Sequence, residues 1–295
     1  MADNKKMIIT LHVNGPSKAV NPNLPYSPAE IAQQSVECWR EGASVVHWHA
    51  TEPETGAQSS DVALYAETIE RIKAECDMIT FPTLGAHVAP SEGRVSHIAE
   101  LAKNPATRPD CVPVDMLTTN LDAWDEAAKS FTSKSRVYSN TTETIMDIAS
   151  RVRAVGVKPV PMFWNVAGVR VTEKMVEMGV FAKPLFCEVS VYGEPYLGFG
   201  HPATVKGIDS VIDFFPEGND WRWTCSVIGA NAFAVLANVI ERGGDVAIGL
   251  HDYPYPELGL PTNAHLIARV ADLARALGRE VATAAEAREI LGMPA

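Results

Sequence analysis

Long apolar runs are missing from this chain: Gly, Pro or a charged residue interrupts each one well before the roughly 18 residues that a membrane span needs. Membrane insertion is therefore not expected. Cysteine is scarce, with five in 295 residues, and Cys38, Cys76, Cys111, Cys187 and Cys225 are odd in number and widely spaced. That pattern fits buried free thiols better than a disulfide framework or a thiolate metal cluster. Positive charge is also short, 25 Lys and Arg against 36 Asp and Glu, for a net charge of -11 with no basic cluster. Nucleic acid is thereby disfavoured as a partner, and an anionic small ligand would have to be held by local donors. MADNKK precedes only the strand-like MIITLHV, so no signal peptide is expected and the expected location is the cytoplasm. Neither an internal repeat nor a low-complexity linker divides the chain, so one domain over residues 1–295 is expected.

What is present is a regular alternation. Eight β-branched or apolar runs stand out: Met7 to Val13, Ser44 to Ala50, Met78 to Leu84, Cys111 to Leu117, Val157 to Trp164, Leu185 to Val191, Trp221 to Ile228 and Asp245 to His251. Several are apolar throughout, as parallel strands covered on both faces are. Amphipathic stretches lie between them. Ser27-Pro28-Ala29-Glu30 is a capping box with Pro at the first helical position, Thr283-Ala284-Ala285-Glu286 is a second box, and Gly42, Gly156, Gly179, Gly243 and Gly278 end periodic segments. The pattern predicts a (β/α)8 TIM barrel, with a doubly wound sheet as the alternative. His47, His49, Thr83, Thr118, Thr119, Asn165, Glu188, His251 and Asp252 mostly fall toward the C-terminal ends of their runs, and a barrel gathers those ends at one mouth. Asn14 to Pro25 and Tyr192 to Pro202 are then expected as lids. Ser135 to Asn140 looks strand-like but would make a ninth strand, so it is assigned to a loop.

The chemistry is concentrated in histidine. In His47-Trp48-His49, side chains two apart on a strand share a face, so both imidazoles can aim at one ion while Trp48 points away. His251, closing the eighth run, is a candidate third ligand of a half-open metal site. The competing explanation is a pair of satisfied histidines in a polar pocket. His97, His201 and His265 read as surface residues, and His87 lies in the loop after Thr83.

The segments MIITLHVNGPSKAVNPNLPYSPAEIAQQSVECWREGASVVHWHATEPETGAQS, GGDVAIGLHD and TNAHLIARVADLARALGREVATAAEAREILGM together resemble the β-keto acid cleavage enzymes. The resemblance implies a zinc-dependent (β/α)8 barrel, usually a homotetramer. Such an enzyme condenses a β-keto acid with acetyl-CoA, giving acetoacetate and a new CoA thioester. Carried over by residue, it makes His47 and His49 metal ligands and Asp252 the general base. Thr83 becomes a hydroxyl donor beside the substrate, and Thr118 or Thr119 a donor near the thioester carbonyl. Glu188 is implied in substrate contact, and His12 and Asn14 are expected to line the same pocket.

Leu84 and Ala86 depart from the Ser/Thr-Thr-Gly-Gly turn that the resemblance implies around Thr83, and two further departures, in the eighth run, matter more. Where its eighth strand reads roughly VRVGLED, this chain reads VAIGLHD, so His251 replaces a glutamate ligand and Ala247 replaces the arginine that partners the aspartate. An imidazole is at least as good a zinc ligand as a carboxylate. The lost cation leaves Asp252 in need of a partner, for which Arg222 on the preceding run is the candidate. Two rival functions follow from the same residues: a metal-dependent hydrolase of the amidohydrolase type, and a drifted keto-acid or CoA-ester binder without turnover.

Overall fold

The computed structural model describes residues 6–15, 18–84, 91–194, 196–218 and 220–294. Eight parallel strands alternate with helices. The strands are β1 (Ile9–His12), β2 (Val45–Trp48), β3 (Ile79–Pro82), β4 (Cys111–Asp115), β5 (Lys158–Phe163), β6 (Phe186–Tyr192), β7 (Arg222–Ile228) and β8 (Asp245–Ile248). The helices are α1 (Pro28–Glu41), α2 (Val62–Glu75), α3 (Ser91–Leu101), α4 (Thr142–Ala154), α5 (Val166–Glu177), α6 (Val205–Ile212), α7 (Phe233–Glu241), α8 (Asn263–Ala276) and α9 (Ala284–Ile290). Seven strands fall within the runs expected from sequence and β6 runs one residue past its own, and the sheet order β3-β2-β1-β8-β7-β6-β5-β4 is that of the (β/α)8 barrel. No helix among the described residues is long and apolar enough to cross a membrane.

The period of two along each strand divides the core. Ile9, Leu11, Val46, Trp48, Val112, Val114 and Val189 face outward onto the helices. Ile8, Val45, Ile79, Cys111, Val160 and Phe186 fill the lower barrel, where Ala287 of α9 and Leu291 close the floor. Cys38, Cys111, Cys187 and Cys225 are buried thiols and Cys76 is half-buried, as their apolar surroundings predict. Both capping boxes form, at Ser27 of α1 and Thr283 of α9. Gly42 ends α1 at φ +115°, a backbone that a side chain would strain.

Ser135 to Asn140 is not wholly loop. Val137–Tyr138 pairs antiparallel with Thr119–Asn120, and Trp124–Asp125 pairs with Ser130–Phe131, so two short ribbons follow β4 outside the barrel sheet. Their local pairing explains the strand-like composition without a ninth barrel strand.

The seam between β3 and β4 is closed by a side chain. Asp110 accepts from the Thr80 backbone N–H (2.8 Å) and hydroxyl (2.7 Å), and from Arg288 after α9 begins (2.7 Å). Burial raises the Asp110 carboxyl, but the Arg288 guanidinium and the Thr80 donors outweigh it and hold the group below its usual range. A depressed folded-state pKa stabilises above the unfolded value and is lost as pH falls through the folded one. Asp110→Ala is therefore expected to cost about 2–4 kcal/mol in urea unfolding at pH 7. The gap between variant and wild type should shrink below about pH 4, and a gap that persists there would contradict this assignment.

Candidate active site

The mouth is shaped by how closely β8 passes β1. A Cβ at Gly249 would lie 1.8 Å from the His12 carbonyl oxygen, and one at Gly15 would lie 2.7 Å from the His251 Cα. Only glycine permits that approach. Asn263 then ties the two strand ends together, accepting from Leu250 N–H (2.9 Å) and donating to the Val13 carbonyl (2.7 Å).

The outcome is a cluster of imidazoles. Ring centroids lie 5.0 Å apart for His12 and His47, 5.3 Å for His47 and His49, and 4.9 Å for His49 and His251, the last pair stacked. Trp48 points the other way and packs on Tyr65. His47 is oriented through Nδ1, which lies 2.7 Å from the Phe81 carbonyl; donation there leaves the Nε2 lone pair for a ligand. Burial, then the neighbouring imidazoles, push His47 well below its ordinary pKa, so it is neutral, the form that binds a metal.

Asp252 organises the other side. Its Oδ1 lies 2.9 Å from Nδ1 of both His12 and His251, and its Oδ2 is buried without a hydrogen-bond partner. Beneath, His12 Nε2 faces the fully buried Glu188 carboxylate at 3.6 Å. Burial disfavours a charged His12 ring, but Asp252 and Glu188 outweigh it and raise its pKa to about 10. Burial likewise raises Asp252, yet His12 and the imidazole hydrogen bonds hold it below the usual carboxylate range. The two assignments agree on an ion pair.

Above this cluster opens a cavity of about 790 Å3. His47, His49, His251, Asp252 and Thr83 line it, as expected for the mouth of the barrel. Asn14 also lines it, but its amide is committed to the His49 backbone, donating to the carbonyl (2.7 Å) and accepting from the N–H (2.9 Å). Asn14 thus holds the second histidine of the pair.

Other expected contacts are not made. His12 and Glu188 do not line it: both point inward and are buried, and they face each other. Thr118 and Thr119 do not line it either: the Thr118 hydroxyl accepts from Asn140 N–H, and Thr119 donates to the Gly198 carbonyl. Both belong to the start of the ribbons. Arg222 cannot serve Asp252, since it sits at the opposite end of β7 and pairs with Asp245. His12 is the cation beside Asp252 instead.

His97 is not a surface residue. It is buried, with Nε2 3.1 Å from the Thr83 carbonyl and its ring 4.8 Å from Tyr65. Surface placement does hold for His265, which is exposed, while His201 is half-buried against Ser210. His87 lies outside the described residues. Trp164 lines the cavity as well as packing, and Asp115 and Ser190 join it from β4 and β6. Inward parity within apolar runs was their only sequence signal.

The donors gathered here fit a metal. His12, His251 and Asp252 offer ligand atoms within 4.8 Å of one another, and the His47–His49 pair borders them through His251. A buried polar atom without a partner, such as Asp252 Oδ2, is costly unless something binds it.

Comparison with known proteins fits this geometry. A family model described as beta-keto acid cleavage enzyme matches residues 6–293. The 3-keto-5-aminohexanoate cleavage enzyme of Fusobacterium nucleatum subsp. nucleatum is 29% identical over 294 residues, covering 98% of each chain. The 3-dehydrocarnitine:acetyl-CoA trimethylamine transferase of Rhizobium meliloti is 27% identical, covering 98% of this chain and 97% of its own. Among solved structures, apo ObcA superposes with a TM-score of 0.71 at 15% identity, over 92% of this chain and 66% of that longer one; the likeness is one of fold.

The ring assignments can be read by NMR of metal-free protein labelled with 15N-histidine. His12 is expected to carry both ring protons up to about pH 10, and His47 to stay a neutral Nδ1–H tautomer at neutral pH. A His12 ring that loses its proton near pH 6.5 would contradict the ion pair.

Proposed function

The chain belongs to the beta-keto acid cleavage enzyme family, and on that premise we propose that the histidine cluster cleaves a β-keto acid with acetyl-CoA as co-substrate. The carrying observation is Asp252: one oxygen held by two imidazoles, the other bare, at the floor of a cavity large enough for a keto acid. We further propose zinc as the metal, with His47, His49 and His251 as its ligands. Zinc bound there supplies Lewis-acid polarisation of the keto and carboxylate oxygens.

The rest of the chemistry falls to the chain. Asp252 Oδ2 takes a proton from the carbon between the keto and carboxylate groups, while His12 and His251 hold Oδ1 and fix the carboxylate plane. The carbanion attacks the thioester carbonyl of acetyl-CoA and expels CoA thiolate. That thiolate attacks the ketone of the original keto acid, the bond to the central carbon breaks, and the proton returns. The products are acetoacetate and a new CoA thioester. Thr83, whose carbonyl His97 holds, is placed to donate to a developing oxyanion. Glu188 acts from beneath, fixing His12 rather than touching substrate. The homotetramer, the cytoplasmic location and a single domain over 1–295 are proposed on the resemblance and the sequence reading.

His49→Ala is expected to lose bound zinc and turnover together, whereas His12→Ala should keep zinc, read by elemental analysis alongside acetyl-CoA-dependent release of acetoacetate. Zinc lost from His12→Ala and kept in His49→Ala would move the site onto His12, His251 and Asp252. Asp252→Asn, which keeps shape but not basicity, should lower kcat by about 10²–10⁴-fold. Product formed from a β-keto acid without any CoA would favour the hydrolase reading instead.

A further inference from the structure

Charge is distributed unevenly around the cavity. No Lys or Arg lines it among the described residues; its charged groups besides the histidines are Asp115, Glu194 and Asp252. Asp252 is committed to His12 and His251, and Glu194 stands exposed on the lid segment, where solvent screens it. Asp115, at the end of β4, is joined to the Tyr138 hydroxyl and backed by Arg94, a guanidinium 2% exposed and 3.8 Å away. Arg94 is itself anchored to the Asn140 side chain (2.8 Å) and the Tyr138 hydroxyl. The pair cancels within the wall.

The surface between these groups is apolar and aromatic. Met162 lies next to Asp115 in strand register, and Trp164 follows it at the end of β5. Phe199, from the lid, sits 5.0 Å from the Tyr192 ring and 6.5 Å from that of Trp164. This wall, on β4 to β6, lies across the barrel from the histidines on β1, β2 and β8. A keto acid whose carboxylate end meets the histidines therefore directs its other end at the wall.

We infer that this wall selects β-keto acids whose β-substituent is uncharged and apolar, and rejects those carrying a second carboxylate. The inference rests on the keto-acid cleavage reading. A second carboxylate would leave water for a surface with no cation to receive it and with carboxylates nearby, which is the costly direction for a buried charge. An ammonium would meet aromatic faces, but every carboxylate along the wall is either paired or in solvent. An apolar chain gains from burial against Met162, Trp164 and Phe199 without leaving any charge unpaired. Asp115 is then a specificity-determining residue, because it neutralises Arg94.

The test uses zinc-loaded full-length protein and three β-keto acids of matched length, ending in an alkyl, a carboxylate or a primary ammonium group. Acetyl-CoA-dependent kcat/KM is measured for each, and Kd by calorimetry without acetyl-CoA. The alkyl substrate is expected to exceed the carboxylate one by about a hundredfold or more in both quantities, with the ammonium one between. A carboxylate or ammonium substrate equal to or better than the alkyl one overturns the inference. If all three bind in the expected order and none is turned over, the cleavage reading fails while the charge selection stands. Asp115→Asn, which uncovers Arg94, should narrow the alkyl-to-carboxylate ratio by about tenfold. An unchanged ratio in a variant with wild-type circular dichroism would remove Asp115 from the assignment.

Discussion

The mouth of this barrel depends on two backbones lying closer than side chains allow. With no Cβ at Gly249, β8 can pass against the His12 carbonyl, and His251 N–H bonds to that same oxygen at 3.2 Å. The approach carries His251 and Asp252 over the end of β1, where Asp252 meets His12, and over β2, where His251 stacks on His49. Asn263 bridges the ends of β8 and β1, and Asn14 those of β1 and β2, each using an amide as a substitute for backbone pairing. Move β8 outward by one methyl group and the shared oxygen of Asp252 no longer reaches both rings.

The frame of the barrel was legible because it is written in period and punctuation. Eight apolar runs, two capping boxes and the glycines after helices are local signals, and each is satisfied where expected. His47, His49, His251 and Asp252 were legible for a related reason: polar residues at strand ends in a barrel have one place to go. Depth along the strand was less legible. His12 and Glu188 have the right inward parity, but both are buried against each other and neither lines the cavity, which parity alone does not reveal. Arg222 illustrates the opposite error, the right strand at the wrong end. His97 was misplaced because a helix residue reveals its buried contact with Thr83 and Tyr65 only once the helix is docked.

The buried charges share one logic. Arg222 with Asp245, Arg94 with Asp115 and His12 with Asp252 are each a cation supplied by one element to a carboxylate on another. Burying either member alone would be expensive, so the pairs constrain which elements may neighbour each other as much as they stabilise. In the third pair the cation is an imidazole, and the second oxygen of its acceptor is left without a hydrogen-bond partner.

The partners in that third pair are 240 residues apart, and the join between them is made at the first and eighth strands. During synthesis His12 emerges 240 residues ahead of Asp252, so β1 waits through that length of chain for the strand that completes its pairing. The join of β1 to β8 is therefore a late, long-range contact, and a chain that stalls before β8 has the earlier helices and hydrophobic layers available while one edge of β1 stays unpaired.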